Sequence, residues 1–356
     1  VRMKQNTPTK WLLGAVFGML LLALAVVFTG CAGEPGPAGP AGPAGPPGPE
    51  GPAGMASESA GNCADCHNAG TELYAKQVQH AQSLHGGGLT FERNGAACAA
   101  CHTSEGYASR IDQGADMINL EAAIAVPSPV NCRTCHKIHE TNTAADWALT
   151  YEAPVKLALG GDTIDLGQGN LCASCHQPRV SEIPSTGSYE ITSMRFGPHH
   201  GPQSTVLTGK ASAFEYKGSN VHAMVPDGCV GCHMAAPYGK QSGDHTWAMA
   251  YEYHENEIPN VAGCITCHPE LEDDETFDRN DLVTDVKALL AEAEAALKAA
   301  GVMRDDGYAV TGTFPAELAG AFWDVKTIQE DRSLGIHNPG YTKALLKNAI
   351  EVANAQ

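Results

Sequence analysis

Apolar residues recur at helical spacing towards the C-terminal end of the chain. In DLVTDVKALLAEAEAALKAAG (281–301) they repeat every three to four residues and stop at Gly301, which predicts a helix that ends there. A second helix is predicted in FPAELAGAFWDVKTIQEDRS, with Pro315 at its first position. A third is predicted in HNPGYTKALLKNAIEVANA, with Asn338 as N-cap and Pro339 at the first helical position. We expect these three helices to pack on one another and on the preceding region.

A continuous apolar run follows a basic start at the other end of the chain. Residues 1–30 contain three basic residues and no acidic one, and residues 11–28 are almost wholly apolar. This order predicts a signal peptide. The next residues, FTGC, resemble a bacterial lipobox and predict a diacylglyceryl lipid on Cys31, although Phe28 replaces the usual leucine. An uncleaved membrane anchor is the alternative, because the run is just long enough to span a bilayer.

Glycine occupies every third position from 33 to 54, directly after Cys31. This is a collagen-like G-X-Y array, and its period reflects the fact that only glycine fits the crowded axis of a triple helix. Because the array is short, it predicts either a stiff single-chain spacer or a short homotrimeric triple helix. Either form would lift the following domain off a membrane.

Residues 57–272 are broken by Gly- and Pro-rich stretches such as GGDTIDLGQGN and RFGPHHGPQ, which predict loops. Twelve of the 13 cysteines lie here in six C-x-x-C-H units, which begin at 63, 98, 132, 172, 229 and 264 and are numbered motifs 1–6 below. The intervals of 35, 34, 40, 57 and 35 residues indicate a quasi-repeat of one binding unit.

The C-x-x-C-H pattern attaches a c-type haem, with both sulfurs on one side of a helical turn and the histidine on the iron. Chance predicts on the order of 0.02 such units in a chain of this composition. Disulfides and zinc sites are the alternatives, but zinc ribbons do not require a histidine after every second cysteine. The predicted attachment residues are Cys63, Cys66, Cys98, Cys101, Cys132, Cys135, Cys172, Cys175, Cys229, Cys232, Cys264 and Cys267. The predicted proximal iron ligands are His67, His102, His136, His176, His233 and His268.

Nine further histidines could fill the second axial face of each iron. If six of them do so, every haem is bis-histidine, of low potential and closed to substrate. His80 and His254 are the expected spares, and Met224 and Met234 are alternative ligands near the motifs. The candidate distal ligands are His85, His139, His199, His200, His222, His245 and His337.

Three of these candidates raise specific questions. His139 lies three residues after His136, so at helical spacing it would share the same face and could bind only a neighbouring iron. A surface histidine is the alternative interpretation of His139. Of His199 and His200, we expect one to bind iron and the other to hydrogen-bond a haem propionate.

The charge and composition of the chain limit which partners we expect it to bind and which groups we expect to fill its core. Without residues 1–30 the chain has 19 Lys and Arg against 40 Asp and Glu, a formal charge of −21. Such a surface repels phosphate backbones and argues against nucleic acid as a partner. Aromatic residues make up 6% of the chain, so we expect porphyrins rather than Phe and Trp to fill the interior.

Several stretches resemble the exported hexahaem lipoproteins of anaerobic, respiring bacteria, which are multihaem c-type cytochromes. The stretches are CHTSEGY, NCRTCHKIH, GNLCASCHQPR, RFGPHHGPQ, VPDGCVGCHM and GIHNPGYTKALL. The resemblance implies a mainly α, loop-rich fold with a haem-filled core and closely stacked haems. It also implies electron transfer at or beyond the cell envelope, to other redox proteins or to an extracellular acceptor, and some such relatives polymerise.

The resulting division has four parts: a signal peptide (1–30), a lipidated cysteine and collagen-like spacer (31–56), a hexahaem cytochrome c domain (57–272) and a C-terminal three-helix region (273–356). The leading interpretation is an electron carrier rather than an enzyme. We expect an outer-membrane or cell-surface lipoprotein, with the periplasmic face as the alternative.

A second interpretation is an enzyme. The C-terminal helices and the HNP tripeptide also resemble multihaem nitrite reductases, but the C-x-x-C-K unit of their catalytic haem is missing here. The alternative function is therefore a reductase or oxidase with one five-coordinate haem that acts on a small nitrogen or sulfur oxyanion. His199 or His200 would then be the proton donor.

Overall fold

The computed structural model describes residue 67 and residues 72–114, 116, 118–179, 186–272 and 276–356. The signal peptide, Cys31, the G-X-Y array and the two cysteines of motif 1 lie outside these residues and stay predictions. The described helices are α1 (Glu72–Gln82), α2 (Leu84–Gly87), α3 (Ala96–His102), α4 (Ser104–Gln113), α5 (Cys132–Cys135), α6 (Asn170–Cys175), α7 (Gln203–Thr208), α8 (Cys229–His233), α9 (Leu282–Ala299), α10 (Ala316–Asp331) and α11 (Pro339–Asn354). The described strands are β1 (Val155–Lys156), β2 (Thr163–Ile164), β3 (Ser188–Ile191), β4 (Ala250–Tyr253), β5 (Asn256–Pro259) and β6 (Gly312–Pro315).

Short helices joined by loops make up most of the described residues before 273, as the sequence predicts. The strands form three antiparallel pairs: β1 with β2, β4 with β5, and β3 with β6. The last pair ties the motif region to the C-terminal helices, with Tyr189 opposite Phe314. One predicted loop, GGDTIDLGQGN, contains β2, because Thr163 and Ile164 pair with β1.

The three C-terminal helices lie close to their predicted positions. Helix α9 ends at Ala299, just before Gly301, whose φ of 77° suits a helix stop. The Asn338 side chain caps α11 by accepting a hydrogen bond from Tyr341 N, with Pro339 in the first turn. Helix α10 begins at Ala316, one residue later than expected, because Pro315 belongs to β6 and occupies the N-cap position.

The largest hydrophobic core lies among these helices. Helix α10 is buried along most of its length, and Phe322 and Trp323 are fully buried. Phe196 packs against both rings, with ring centres 6.0 Å from Phe322 and 5.5 Å from Trp323. Phe and Trp thus contribute to the core of the C-terminal helices, whereas the two smaller buried clusters nearer the motifs contain neither. In the described part of the chain no helix is both long and apolar enough to cross a membrane.

A buried carboxyl group anchors one loop to this core. Asp324 of α10 is fully buried and accepts hydrogen bonds from Ala213 N (2.8 Å) and Phe214 N (3.0 Å). Burial raises its pKa to about 7, although the two backbone donors favour the charged form. The folded chain therefore binds a proton at this site at pH values where an unfolded aspartate has lost it.

Asp324 should make stability depend on pH. Because the pKa of Asp324 is raised in the folded chain, its contribution to the free energy of unfolding is fully present below the unfolded pKa near 4. This contribution is lost as the pH rises towards about 7. Asp324→Asn does not titrate, so the stability of the wild type relative to this variant should fall by up to about 2–3 kcal/mol between pH 5 and pH 7. Thermal unfolding at several pH values measures this difference. The exposed Asp306→Asn is the control, and a wild-type to Asp324→Asn difference that is constant over pH would contradict the assignment.

Candidate haem-binding site

The C-x-x-C-H segments of motifs 2–6 adopt a local geometry that suits haem attachment. Motif 2 ends α3, motif 3 forms α5 and its C-cap, motif 4 spans the end of α6 and motif 5 forms α8. Motif 6 is a turn in which His268 N donates to Cys264 O at 2.8 Å. Because cysteines three apart in a helical turn lie on the same side, both thiols can reach one porphyrin while the histidine follows directly. Of motif 1, only His67 is described.

Each motif histidine faces a second imidazole from elsewhere in the chain. The ring centres of these pairs are 6.0–6.2 Å apart. We number the pairs by motif: pair 1 is His67–His139, pair 2 His102–His199, pair 3 His136–His245, pair 4 His176–His85, pair 5 His233–His337 and pair 6 His268–His222.

This spacing fits one metal ion between the two rings of each pair. With a metal–nitrogen bond of about 2.0 Å on each side, the centres of two imidazoles on opposite faces of an ion lie roughly 6.2–6.4 Å apart. Directly stacked rings would be much closer. The chain's own residues therefore fit a haem iron at each motif, in a position where the two axial nitrogens can be supplied by the pair.

Hydrogen bonds at Nδ1 hold several of these rings in place. In the motif histidines, His136 donates to Trp147 O (2.7 Å), His176 to Gln203 Oε1 (3.0 Å) and His233 to Trp247 O (3.0 Å). In their partners, the acceptors are Ile336 O for His222, Asp244 Oδ1 for His245 and Asp331 Oδ1 for His337, each at 2.6 Å. With Nδ1 engaged as a donor, Nε2 is left as the lone-pair nitrogen that can bind a metal.

Burial favours the neutral form, which binds metal, in six of the paired imidazoles. It lowers the pKa of His85 and of His199 to about 4, with neighbouring histidines adding to the effect. The pKa values of His102, His176, His233 and His245 are lowered for the same main reason. His337 differs: burial opposes its protonation, but the Asp331 carboxylate outweighs burial and raises the pKa.

The helical argument for His139 is wrong, although its imidazole does face another motif. Helix α5 ends at Cys135, and His136 is extended and forms a bridge with Leu149. His139 lies in a turn with a φ of 67°. The Asp146 carboxylate holds this turn by accepting from the backbone N–H of His139 at 2.8 Å. The turn, rather than a shared helical face, directs His139 towards His67.

The remaining histidines lie in different settings. His200 is exposed, and its Nδ1 donates to Glu330 Oε2 at 2.7 Å. Its ring centre is 5.0 Å from that of His199, but only His199 faces a motif histidine. His80 has its Nε2 3.0 Å from Val130 O, and His254 is exposed beside Tyr253. The side chain of Met224 points to solvent at 78% exposure, which disfavours it as an iron ligand.

Two residues that the sequence analysis does not single out join neighbouring motifs. The Trp247 indole contacts His85 (ring centres 4.9 Å apart) and His245 (5.7 Å), while its carbonyl accepts from His233. The buried Arg110 donates to Ser174 O at 2.8 Å. A tryptophan within two residues of His245 was a weak signal, whereas nothing in the sequence around Arg110 marks it.

Comparisons with known proteins match part of the chain. The family described as "Cytochrome c7 and related cytochrome c" matches residues 53–137. The C-type polyheme cytochrome OmcB of Geobacter sulfurreducens, in two strains, is 32% identical over 132 residues, which is 32% of this chain and 16% of OmcB. The matched part of the chain thus spans 16% of the length of these curated relatives.

The chain is also similar in fold to solved structures of cytochromes. The crystal structure of the outer cell wall cytochrome OcwA is 19% identical, with a TM-score of 0.50, and the match covers 78% of this chain and 50% of OcwA. An undecahaem cytochrome from the S-layer of Carboxydothermus ferrireducens is 18% identical, with a TM-score of 0.40. The match covers 79% of this chain and 40% of that cytochrome. Residues 53–137 thus match cytochrome c7 and related cytochromes c, which implies covalently bound haem c, and 78% of the chain is similar in fold to OcwA.

Proposed function

We propose that this chain is an electron-transfer protein with six covalently bound c-type haems, each closed by two histidines. Each haem would supply a one-electron Fe(III)/Fe(II) couple. The observation that carries the proposal is the set of imidazole pairs 1–6, in which every motif histidine has a partner at the spacing of one metal ion. In this proposal the motif cysteines attach the haems and the pairs supply both axial ligands.

Two-sided histidine ligation favours a relay over catalysis. An iron held on both faces has no open position for a substrate, so the protein needs no general acid or base beside it. Of the two candidate proton donors, His199 belongs to pair 2, and His200 donates its Nδ1 proton to Glu330. No contact of the described residues favours the oxyanion reductase, which remains the alternative.

Direct contacts between motif 4 and its neighbours support a continuous path. The Arg110 guanidinium bridges motifs 2 and 4, with Nη1 3.8 Å from Cys101 Sγ and 3.9 Å from Cys175 Sγ. The thiols of Cys172 and Cys229, from motifs 4 and 5, are within hydrogen-bonding reach of each other. These contacts place the attachment cysteines of motif 4 beside those of motifs 2 and 5.

Trp247 connects pairs 3 and 4 through its indole, as its ring contacts with His245 and His85 show. An aromatic ring between two axial ligands keeps the gap filled with polarisable atoms instead of water. Electron transfer weakens steeply with distance, so such packing suits a relay.

The outer motifs also adjoin their neighbours. His136 belongs to pair 3 and His139, three residues on, to pair 1. Between motifs 5 and 6, a Cβ added at Gly263 would lie 3.0 Å from Cys232 Cα, so the two backbones are in close approach. The proposed order is therefore 1–3–4–5–6, with motif 2 joined at motif 4.

We also propose that the protein works at the cell envelope. The signal peptide, the lipid on Cys31 and the G-X-Y spacer would tether the haem region outside the cytoplasm, where c-type haem is attached. The similarity to a protein described as an outer cell wall cytochrome supports such a location. Its partners would be other redox proteins or extracellular electron acceptors, and a trimer through the G-X-Y array or a polymer stays a prediction.

The number of haems is directly measurable. All six motifs should be occupied, because each combines the attachment cysteines with a paired histidine. The intact mass of the unfolded protein and a pyridine haemochrome assay should both give six haems per chain. A thiol-alkylating reagent should label none of the twelve motif cysteines, and a labelled C-x-x-C peptide would identify a motif without haem and contradict the count.

Carbon monoxide binding tests the ligation. It requires an open face on reduced iron, so the fully reduced wild type should not bind it. His199→Asn should open about one haem in six, since His199 faces His102 and asparagine tolerates the φ of 70° at this position.

His200→Asn is the matched control. It changes the adjacent histidine but leaves pair 2 intact, so it should bind no carbon monoxide. Binding by about one haem in six in the wild type would contradict the relay and support the reductase alternative. Equal binding by both variants would show that His199 is not the ligand of motif 2.

A further inference from the structure

Two of the distal histidines have a carboxylate behind them. His337 donates from Nδ1 to Asp331 Oδ1 at 2.6 Å, and His245 donates from Nδ1 to Asp244 Oδ1 at 2.6 Å. The other Nδ1 acceptors described above are neutral carbonyl or amide oxygens. Glu270 Oε1 lies 3.8 Å from Nδ1 of His268, beyond hydrogen-bond distance, and is paired with Arg279. The chain thus distinguishes pairs 5 and 3 by the charge of the group that orients the ring.

The carboxylate of pair 5 is the more enclosed. The side chain of Asp331 is 1% exposed, and its second oxygen accepts from the Ser333 hydroxyl. Water therefore has little access to screen this charge, and the hydrogen bonds on both oxygens fix its position. Asp331 ends α10, and His337 lies six residues later in the turn before α11, where its backbone N–H donates to Ser333 Oγ. This turn sets the distance between the carboxylate and the imidazole.

The carboxylate of pair 3 is partly neutralised. The Lys76 ammonium group contacts Asp244 Oδ2, and Lys76 is also 3.5 Å from Glu72 of α1. The side chain of Lys76 is 28% exposed. The net negative charge felt by His245 is therefore smaller than the charge felt by His337.

A carboxylate that accepts the Nδ1 proton of a metal-bound histidine makes the imidazole a stronger electron donor. A stronger donor stabilises Fe(III) over Fe(II) and lowers the reduction potential. We propose that Asp331 and Asp244 are positioning residues that lower the reduction potentials of the haems at motifs 5 and 3, with Asp331 having the larger effect. This inference rests on the proposed bis-histidine ligation.

Motif 4, which adjoins both of these motifs, has the opposite surroundings. His176 donates to the neutral amide oxygen of Gln203, and the Arg110 guanidinium lies 3.9 Å from Cys175 Sγ. A buried cation near a redox centre favours its reduced form. The haem at motif 4 would therefore retain an electron longer than its neighbours at motifs 3 and 5, and would act as the collecting point of the relay.

The test measures potentials and not activity. Asp331→Asn keeps the shape and one oxygen acceptor but removes the charge. In a potentiometric titration of the full protein, followed by optical and electron paramagnetic resonance spectra, it should move one of the six midpoints upwards. We expect a roughly tenfold change in that haem's reduction equilibrium, which is about 59 mV for one electron. Asp244→Asn should move a different midpoint upwards by less.

Two further variants separate charge from general disturbance. Lys76→Gln removes the cation from Asp244, so the motif 3 midpoint should move downwards, opposite to the effect of Asp244→Asn. Asp306→Asn removes an exposed carboxylate that is paired with Arg304 instead of an imidazole, and should change the reduction equilibrium of each haem by less than twofold. If Asp331→Asn does not fold, Lys76→Gln and Asp244→Asn still test the inference, because they should shift the midpoint potential at motif 3 in opposite directions.

The outcomes distinguish this inference from the proposed ligation. If all variants stay low-spin and bind no carbon monoxide, but Asp331→Asn leaves every midpoint unmoved, the inference fails and the ligation stands. Shifts of the same sign for Lys76→Gln and Asp244→Asn would also overturn it. Carbon monoxide binding by the wild type would overturn the ligation, and this inference with it.

Discussion

The rest of the structure depends on pairing imidazoles from distant parts of the chain. His102 faces His199, His136 faces His245 and His233 faces His337, so these three pairs join segments about a hundred residues apart. The hydrophobic clusters around the motifs are small, with Ala99, Ala100 and Leu120 forming one of them. In the proposed ligation, the bonds from each pair to its iron would cross-link these loops, and the porphyrins would provide apolar surface that the side chains do not.

The C-terminal helices take part in this arrangement instead of forming a separate support. The turn between α10 and α11 contributes His337 to pair 5, and Ile336 O orients His222 of pair 6. Asn220 Nδ2 donates to His337 O at 2.7 Å and fixes the turn from the motif side. The core that holds α10 and α11 together, centred on Phe322 and Trp323, therefore also positions ligands for two motifs.

Part of the site was predictable because its chemistry has a fixed local spacing. The motifs need a set interval between cysteines and histidine, and the cap at Asn338 follows from its own sequence, so both could be predicted. The pairing could not, because it depends on how loops such as the turn at His139 cross the fold, and a one-residue difference separates His199 from His200. Arg110 and Trp247 were missed because their contacts with Cys175 and His85 are long-range. Asp331 was missed because its contact with His337 spans an irregular turn that has no repeating pattern.

The central claim is that every haem iron is held by two histidines. Near-infrared magnetic circular dichroism of the fully oxidised protein tests it most directly, because the charge-transfer band of low-spin ferric haem depends on its axial ligands. The account predicts a bis-histidine band whose intensity corresponds to all six haems. A methionine–histidine band, or high-spin signals with the intensity of one haem or more, would contradict it.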